Sequence, residues 1–139
     1  MLKLKAKINT KQKLQFFASP ASCGFPSPAD DFVENELDLN GYLINHPAST
    51  FFVRAKGKSM IDASILDGDI LVIDRSLTPK NNSIVLACVE GEFLIKRFVK
   101  KFDKVFLVPC NSEFQPIDVT GNENFSVEGV VTHVIHKLH

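Results

Sequence analysis

Cysteine and other metal-binding residues are scarce in this chain of 139 residues, which also lacks tryptophan. Its three cysteines are odd in number and widely spaced, so they form neither a disulfide framework nor a metal site. The four histidines have no ligand-type residues at metal-binding spacing around them, and we therefore predict no metal and no cofactor. So few cysteines fit a reducing compartment, and we expect the protein in the cytoplasm.

Long apolar runs are absent as well. The longest uninterrupted run, Ile84 to Val89, is far shorter than the roughly 20 residues that a membrane-spanning helix needs. The N-terminus carries lysines but no apolar segment of the kind found in secretory signals. We therefore expect neither secretion nor a membrane partner.

Net charge is absent too, because 16 basic residues balance 16 acidic ones. The molecule as a whole therefore does not attract nucleic acid. The balance hides an asymmetry, since residues 1–29 hold five lysines and no acid while residues 30–139 are net acidic. A basic arm of this kind either folds back onto the acidic body or binds a polyanion.

Two features define the arm, which we assign to residues 1–30. Residues 2–8 alternate apolar and basic side chains, which predicts a strand on a sheet edge or on another chain; a solvated basic tail is an equal alternative. Residues 18–30 contain three prolines and several small residues, which predicts an extended, exposed segment. That segment is either a linker or a built-in substrate whose scissile bond is Cys23-Gly24.

Residues 31–139 have the pattern of a mainly β domain. A short helix is expected at Asp38 to Ile44, with Asp38 as its cap. Short apolar runs separated by glycine, proline and asparagine turns predict a single distorted β-sandwich or barrel behind an extended N-terminal arm. The runs are Phe51–Ala55, Ile70–Ile73, Ile84–Val89, Phe93–Val99, Val105–Val108 and Val127–Ile135.

A glycine turn presents the first candidate functional residue. In Gly57-Lys58-Ser59-Met60 the glycine permits a sharp turn after a strand, which exposes the hydroxyl of Ser59. The backbone N–H groups of Lys58 and Ser59 are then candidates for an oxyanion hole, where one donor lowers the barrier by roughly 3–4 kcal/mol. The alternative is an ordinary loop serine.

Lys96 is the candidate base that such a serine requires. Strand periodicity places it between Leu94 and Phe98 on one face, and burial among apolar side chains lowers the pKa of a lysine. A neutral amine is a competent general base near neutral pH. The alternative is a strand lysine that extends to water.

Several motifs together resemble the LexA/UmuD family of self-cleaving Ser–Lys peptidases, from about residue 20 to the C-terminus. The resemblance implies that Ser59 is the nucleophile, Lys96 the general base and Cys23-Gly24 the scissile bond. The motifs are Cys23-Gly24-Phe25-Pro26-Ser27-Pro28, Asp38-Leu39-Asn40, Gly57-x-Ser59-Met60-Ile61-Asp62, Asp67-Gly68-Asp69, the Lys96 strand, Pro109-x-Asn111-Ser112 and Gly129-Val130-Val131.

The family resemblance also implies a biological setting. It implies a homodimer whose self-cleavage in the SOS response is promoted by a RecA filament on single-stranded DNA. The shortened product would join a Y-family polymerase catalytic subunit of the UmuC type in error-prone translesion synthesis. The arm has no room for a helix-turn-helix, so we expect no direct sequence-specific DNA binding.

Two departures from the family pattern and two alternatives remain. The first nineteen residues match the family poorly. Lys58 stands where family members often have Asp or Met, and its cation would further oppose protonation of Lys96. A non-catalytic, β-rich accessory module would leave Ser59 and Lys96 without a role. The chain would also fit the C-terminal part of a phage-type, LexA-like repressor.

Overall fold

The computed structural model describes residues 3–5, 13–17 and 33–139, which belong to two compact units. The larger unit contains β1 and residues 46–139, and the smaller one contains β2, β3 and α1. The elements are β1 (Lys3–Lys5), β2 (Lys13–Phe17), β3 (Val33–Asp38), α1 (Leu39–Leu43), β4 (Thr50–Arg54), β5 (Ile70–Asp74), β6 (Ile84–Val89), β7 (Glu92–Lys101), β8 (Lys104–Val108), β9 (Ile117–Asp118) and β10 (Phe125–Ile135).

The larger unit is built on one antiparallel sheet of eight strands in the order β1-β4-β5-β10-β6-β7-β8-β9. The prediction of a mainly β fold is confirmed. β-Branched and aromatic residues fill the central strands because their side chains pack well on a pleated surface. The edge-strand prediction for residues 2–8 is confirmed at β1, where Lys3 to Lys5 pair with Val53 to Phe51 of β4.

The longest strand, β10, joins the two halves of this sheet. Its C-terminal part pairs with β5 and its N-terminal part with β6, with one register irregularity in each pairing. Gly129 lies at one irregularity, and a Cβ there would come within 2.5 Å of Ile73 Cγ2. Glycine is therefore the residue that lets β10 approach β5 this closely.

Two hydrophobic clusters lie on this framework. One includes Phe51 and Val53 of β4 with Leu71, Ile73 and Ile95, and it extends to Met60 in the turn after β4. The other contains Val85, Ala87, Leu107 and Val119. The first cluster is the one that supports the glycine turn carrying Ser59.

A tight hairpin between β6 and β7 sets the position of Lys96. Glu90 and Gly91 have φ values of 51° and 78°, the left-handed conformation that two-residue hairpin turns require. The turn places Val85 opposite Lys96 and Leu86 opposite Ile95. The predicted hairpin is thereby confirmed, and Lys96 is fixed in the middle of a ten-residue strand.

The smaller unit differs from the sequence-based expectations in two ways. β2 and β3 form an antiparallel pair that was not predicted, because the two strands are far apart in the sequence. The helix is present and Asp38 is its N-cap residue, as predicted, but the Asp38 side chain makes no capping hydrogen bond. Its carboxylate lies instead against Gly41, about 3.0 Å from where a Cβ would stand.

Two sequence-based predictions concern the arm. Cys23-Gly24 lies outside the described residues, and the division of the chain at residue 30 stays a prediction. A separate finding is that none of the helices among the described residues is long and apolar enough to cross a membrane.

Candidate active site

The turn that carries Ser59 is held at its base by the loop Asp67-Gly68-Asp69. Ala55, just after β4, donates its N–H to Asp69 O and accepts from Gly68 N–H, both at 2.8 Å. Gly57 donates its N–H to the carboxylate of Asp67 at 2.8 Å and has a φ of +95°, in the region that favours glycine. The backbone therefore enters the Ser59 turn on a fixed path.

The side chain of Asp69 links this loop to two other parts of the chain by hydrogen bonds. Its buried carboxylate accepts hydrogen bonds from Leu66 N–H at 2.8 Å and from His136 Nδ1 at 2.6 Å. Burial raises the pKa of Asp69, but these donors outweigh burial and leave the pKa below its usual value. The role of His136 was not predicted, because the contact spans 67 positions of the sequence.

The structure brings Ser59 and Lys96 together. Lys96 Nζ lies 2.8 Å from Ser59 Oγ, across a separation of 37 positions, and both residues are half-buried. Within the described part of the chain, Ser59 Oγ is the only hydrogen-bond partner of the Lys96 amine. A hydroxyl and an amine at this distance have the geometry that proton transfer requires.

Burial controls the protonation of Lys96. It lowers the pKa of the amine, while the charges of Glu92 and Cys110 raise it, and the net result lies below the usual lysine value. Lys58, expected to oppose protonation of Lys96, is not among the groups that act on its pKa. Desolvation alone thus favours the neutral, basic form of the amine.

The backbone amides of Lys58 and Ser59 are available for a substrate. Neither N–H donates to a protein acceptor among the residues that the structure describes. The carbonyl of Lys58 is engaged by Asn111 Nδ2 at 2.8 Å. The motif that contains Asn111 does not by itself predict this contact, although the proline on either side of its loop, at Pro109 and Pro116, was a signal of fixed geometry.

A cleft of about 230 Å³ opens beside the Ser59–Lys96 pair. One wall is the segment from Ala55 to Met60, and the other is the start of β7 from Glu92 to Lys96. The residues that follow β4 and the first residues of β7 thus line this cleft, an arrangement suited to an extended peptide. No cluster of three His, Cys, Asp or Glu side chains in the described ranges is placed to hold a metal ion.

The fold and the Ser59–Lys96 pair together define a class of protein, namely β-rich domains in which a serine lies within hydrogen-bonding reach of a partly desolvated lysine. The Peptidase S24-like family model matches residues 15–132, and the chain belongs to that family. The prediction of a LexA/UmuD-type member is confirmed, and the family is one of serine peptidases of that type.

Three relatives match over most of their own length. Protein ImpA of Salmonella typhimurium is 46% identical over 87% of this chain and 82% of its own. Protein MucA of Escherichia coli is 45% identical over 86% of this chain and 82% of its own. Protein SamA of Salmonella typhimurium strain LT2 is 43% identical over 87% of this chain and 84% of its own.

Proposed function

We propose that the protein is a self-processing serine peptidase that cleaves its own Cys23-Gly24 bond. Ser59 acts as the nucleophile and Lys96 as the general base. The observation that supports the proposal most directly is the 2.8 Å approach of Lys96 Nζ to Ser59 Oγ. The lowered pKa of Lys96, caused by burial, supports the same role because it favours the form that accepts a proton.

The proposed reaction has two stages. Ser59 Oγ attacks the carbonyl carbon of Cys23 and passes its proton to the neutral amine of Lys96. The resulting oxyanion accepts hydrogen bonds from the N–H groups of Lys58 and Ser59. As the carbon–nitrogen bond breaks, Lys96 returns the proton to the nitrogen of Gly24. A water molecule then gives a proton to Lys96 and attacks the carbonyl carbon of the ester between Cys23 and Ser59. As the ester bond breaks, Lys96 returns this proton to Ser59 Oγ, which regenerates the serine and frees the carboxyl group of Cys23.

The biological setting of this cleavage follows from the family resemblance. We propose that a RecA filament on single-stranded DNA stimulates cleavage during the SOS response, in the cytoplasm. The shortened chain then serves as a subunit of an error-prone translesion polymerase with a UmuC-like catalytic subunit. The extensive match to ImpA, MucA and SamA supports a function shared with these proteins.

Incubation of the purified chain at alkaline pH tests the proposal. Deprotonation of Lys96 is expected to yield two fragments divided between residues 23 and 24, identified by intact-mass spectrometry. Ser59→Ala should stay intact, whereas the control Ser112→Ala, an exposed serine outside the cleft, should cleave like the wild type. A wild-type chain that stays intact even with the RecA filament would favour the non-catalytic accessory module.

The proposed assembly is a homodimer. Light scattering at micromolar concentration is expected to give twice the mass of one chain, 15.5 kDa. A monomeric mass would contradict the assembly and leave the cleavage chemistry untouched. A longer reading frame upstream would instead favour the phage-type, LexA-like repressor.

A further inference from the structure

Asn111 is the described side chain that fixes the peptide group in front of Ser59. It is 9% exposed, and its Nδ2 donates to Lys58 O at 2.8 Å while its Oδ1 accepts from Glu113 N–H at 3.0 Å. A carbonyl oxygen only accepts and a backbone N–H only donates, so one orientation of the amide satisfies both contacts. The side chain is thus locked with its donor end on Lys58.

Holding the carbonyl of Lys58 also determines the direction of the next N–H. No cis peptide bond occurs in the described backbone, and in a trans peptide the C=O and N–H groups point in opposite directions. Asn111 lines a separate cavity of about 400 Å³, whereas Ser59 lines the 230 Å³ cleft. The N–H of Ser59 therefore points away from Asn111.

The turn has little else to hold this peptide plane. Asp67 holds the N–H of Gly57 at 2.8 Å, but nothing lies within 4 Å of where a Cβ of Gly57 would stand, so side-chain packing adds no further restraint there. The remaining contact to Lys58 O is the N–H of Ile61, at a longer 3.3 Å. The orientation of the Lys58–Ser59 peptide therefore depends mainly on its shorter hydrogen bond, the one from Asn111.

We propose that Asn111 is a positioning residue that orients the N–H of Ser59 as an oxyanion donor. The inference rests on the proposed self-cleavage, because the N–H acts only when a tetrahedral oxyanion forms. The described side-chain hydrogen bonds of Asn111 go to Lys58 and Glu113 and not to the side chains of the nucleophile or the base. Its loop is tied to the same turn a second time, where Asp62 donates its N–H to Cys110 O at 2.8 Å.

Two variants separate the donor of Asn111 from its acceptor. Asn111→Asp keeps the acceptor for Glu113 N–H and loses the donor, and Asn111→Ala loses both. Asn122→Asp is the matched control, because Asn122 Oδ1 also accepts a backbone N–H two residues ahead, at 2.8 Å, and lies outside both cavities. Melting temperatures define the conditions under which every variant is folded.

Self-cleavage is measured on the alkaline plateau of the pH profile, where Lys96 is neutral in every variant. We expect both Asn111 variants to cleave at least about tenfold slower than the wild type. Complete loss of the Ser59 donor would slow cleavage by roughly 100-fold or more. The control should match the wild type. A plateau rate equal to wild type in both Asn111 variants would overturn the proposal.

The amide nitrogen resonance of Ser59 provides a readout that does not depend on cleavage. It should move in both Asn111 variants, because the carbonyl bonded to that nitrogen loses its hydrogen-bond donor, and it should stay unchanged in Asn122→Asp. An unmoved resonance contradicts the positioning role. A wild-type chain that never cleaves refutes the proposed function, and the resonance then decides whether Asn111 orients this peptide.

Discussion

Asp74 and Lys96 are two ionisable side chains of one sheet, and their surroundings favour the charged form of Asp74 but the neutral form of Lys96. Asp74 is buried and accepts hydrogen bonds from Ser76 Oγ at 2.7 Å, Ser49 Oγ at 2.9 Å and His46 Nδ1 at 2.6 Å. Burial raises its pKa, but these donors and Ser76 N–H outweigh burial and lower the pKa to about 2. The amine of Lys96 has the hydroxyl of Ser59 as its only described hydrogen-bond partner, and burial disfavours its charged form and lowers its pKa.

The comparison distinguishes a structural charge from a reactive group. A carboxylate surrounded by donors stabilises the fold as long as it stays ionised. An amine deprived of water and of a close counter-ion costs stability as a cation and gains basicity as a neutral group. Substitution of Asp74 should therefore reduce stability more than cleavage, whereas substitution of Lys96 should reduce cleavage more than stability.

The largest expected effect is on cleavage, in Lys96→Met. Methionine replaces the apolar stem and removes the base, so self-cleavage should fall by about 10³-fold or more. The melting temperature should stay level or rise, because a desolvated amine is lost. Lys96→Ala should block cleavage as well, and Lys100→Met, an exposed lysine of the same strand, should cleave normally. Wild-type cleavage in Lys96→Met would refute the assignment of the base.

The next effect is on stability, in Asp74→Asn. The free energy of unfolding at pH 7 should fall by about 1–2 kcal/mol, measured by urea denaturation, while the folded variant still cleaves itself. A lowered pKa means that Asp74 stabilises the protein above its unfolded pKa of about 4. This contribution should be lost as the pH falls from about 4 to about 2. A stability gap that persists at pH 2 would contradict this account.

The smallest effect is a displacement of the cleavage pH profile in Glu92→Gln. The charge of Glu92 raises the pKa of Lys96, so its removal should lower that pKa further and move the profile toward lower pH. At pH values below the midpoint, more of the amine is then neutral and cleavage is faster. Glu90→Gln, in the turn of the same hairpin, serves as the control. A midpoint that moves upward would show that Glu92 acts in another way.

Much of the larger unit was predictable because its strands carry local signals. The run from Ile84 to Val89 became β6 with the predicted bounds, and the hairpin after it followed from a glycine turn. The smaller unit was not predictable in this way, since β3 carries only two apolar residues, Val33 and Leu37, on the face opposite its acids. Pairing there depends on β2, whose sequence distance from β3 hides the match.

The two central residues of the site were predictable from the sequence, but the hydrogen bonds between distant segments that hold the surrounding structure were not. Spacing alone left Ser59 and Lys96 as candidates, and the family motifs paired them. The contacts of Asp74 with His46 and Ser49 depend on Thr50 standing opposite Asp74 in the pairing of β4 with β5. Registers between distant segments determine such contacts, and no local pattern encodes them.

The two described strands that precede the proposed scissile bond are both paired with strands that follow it. β1 pairs three residues with β4, and β2 pairs five residues with β3. Breaking one peptide bond therefore does not by itself free the first 23 residues, since two ladders still fasten them to the remainder. Departure of that peptide is a separate, reversible event, and only this event would uncover the edges of β4 and β3 to an incoming strand. The time between scission and departure would delay any function that uses those edges.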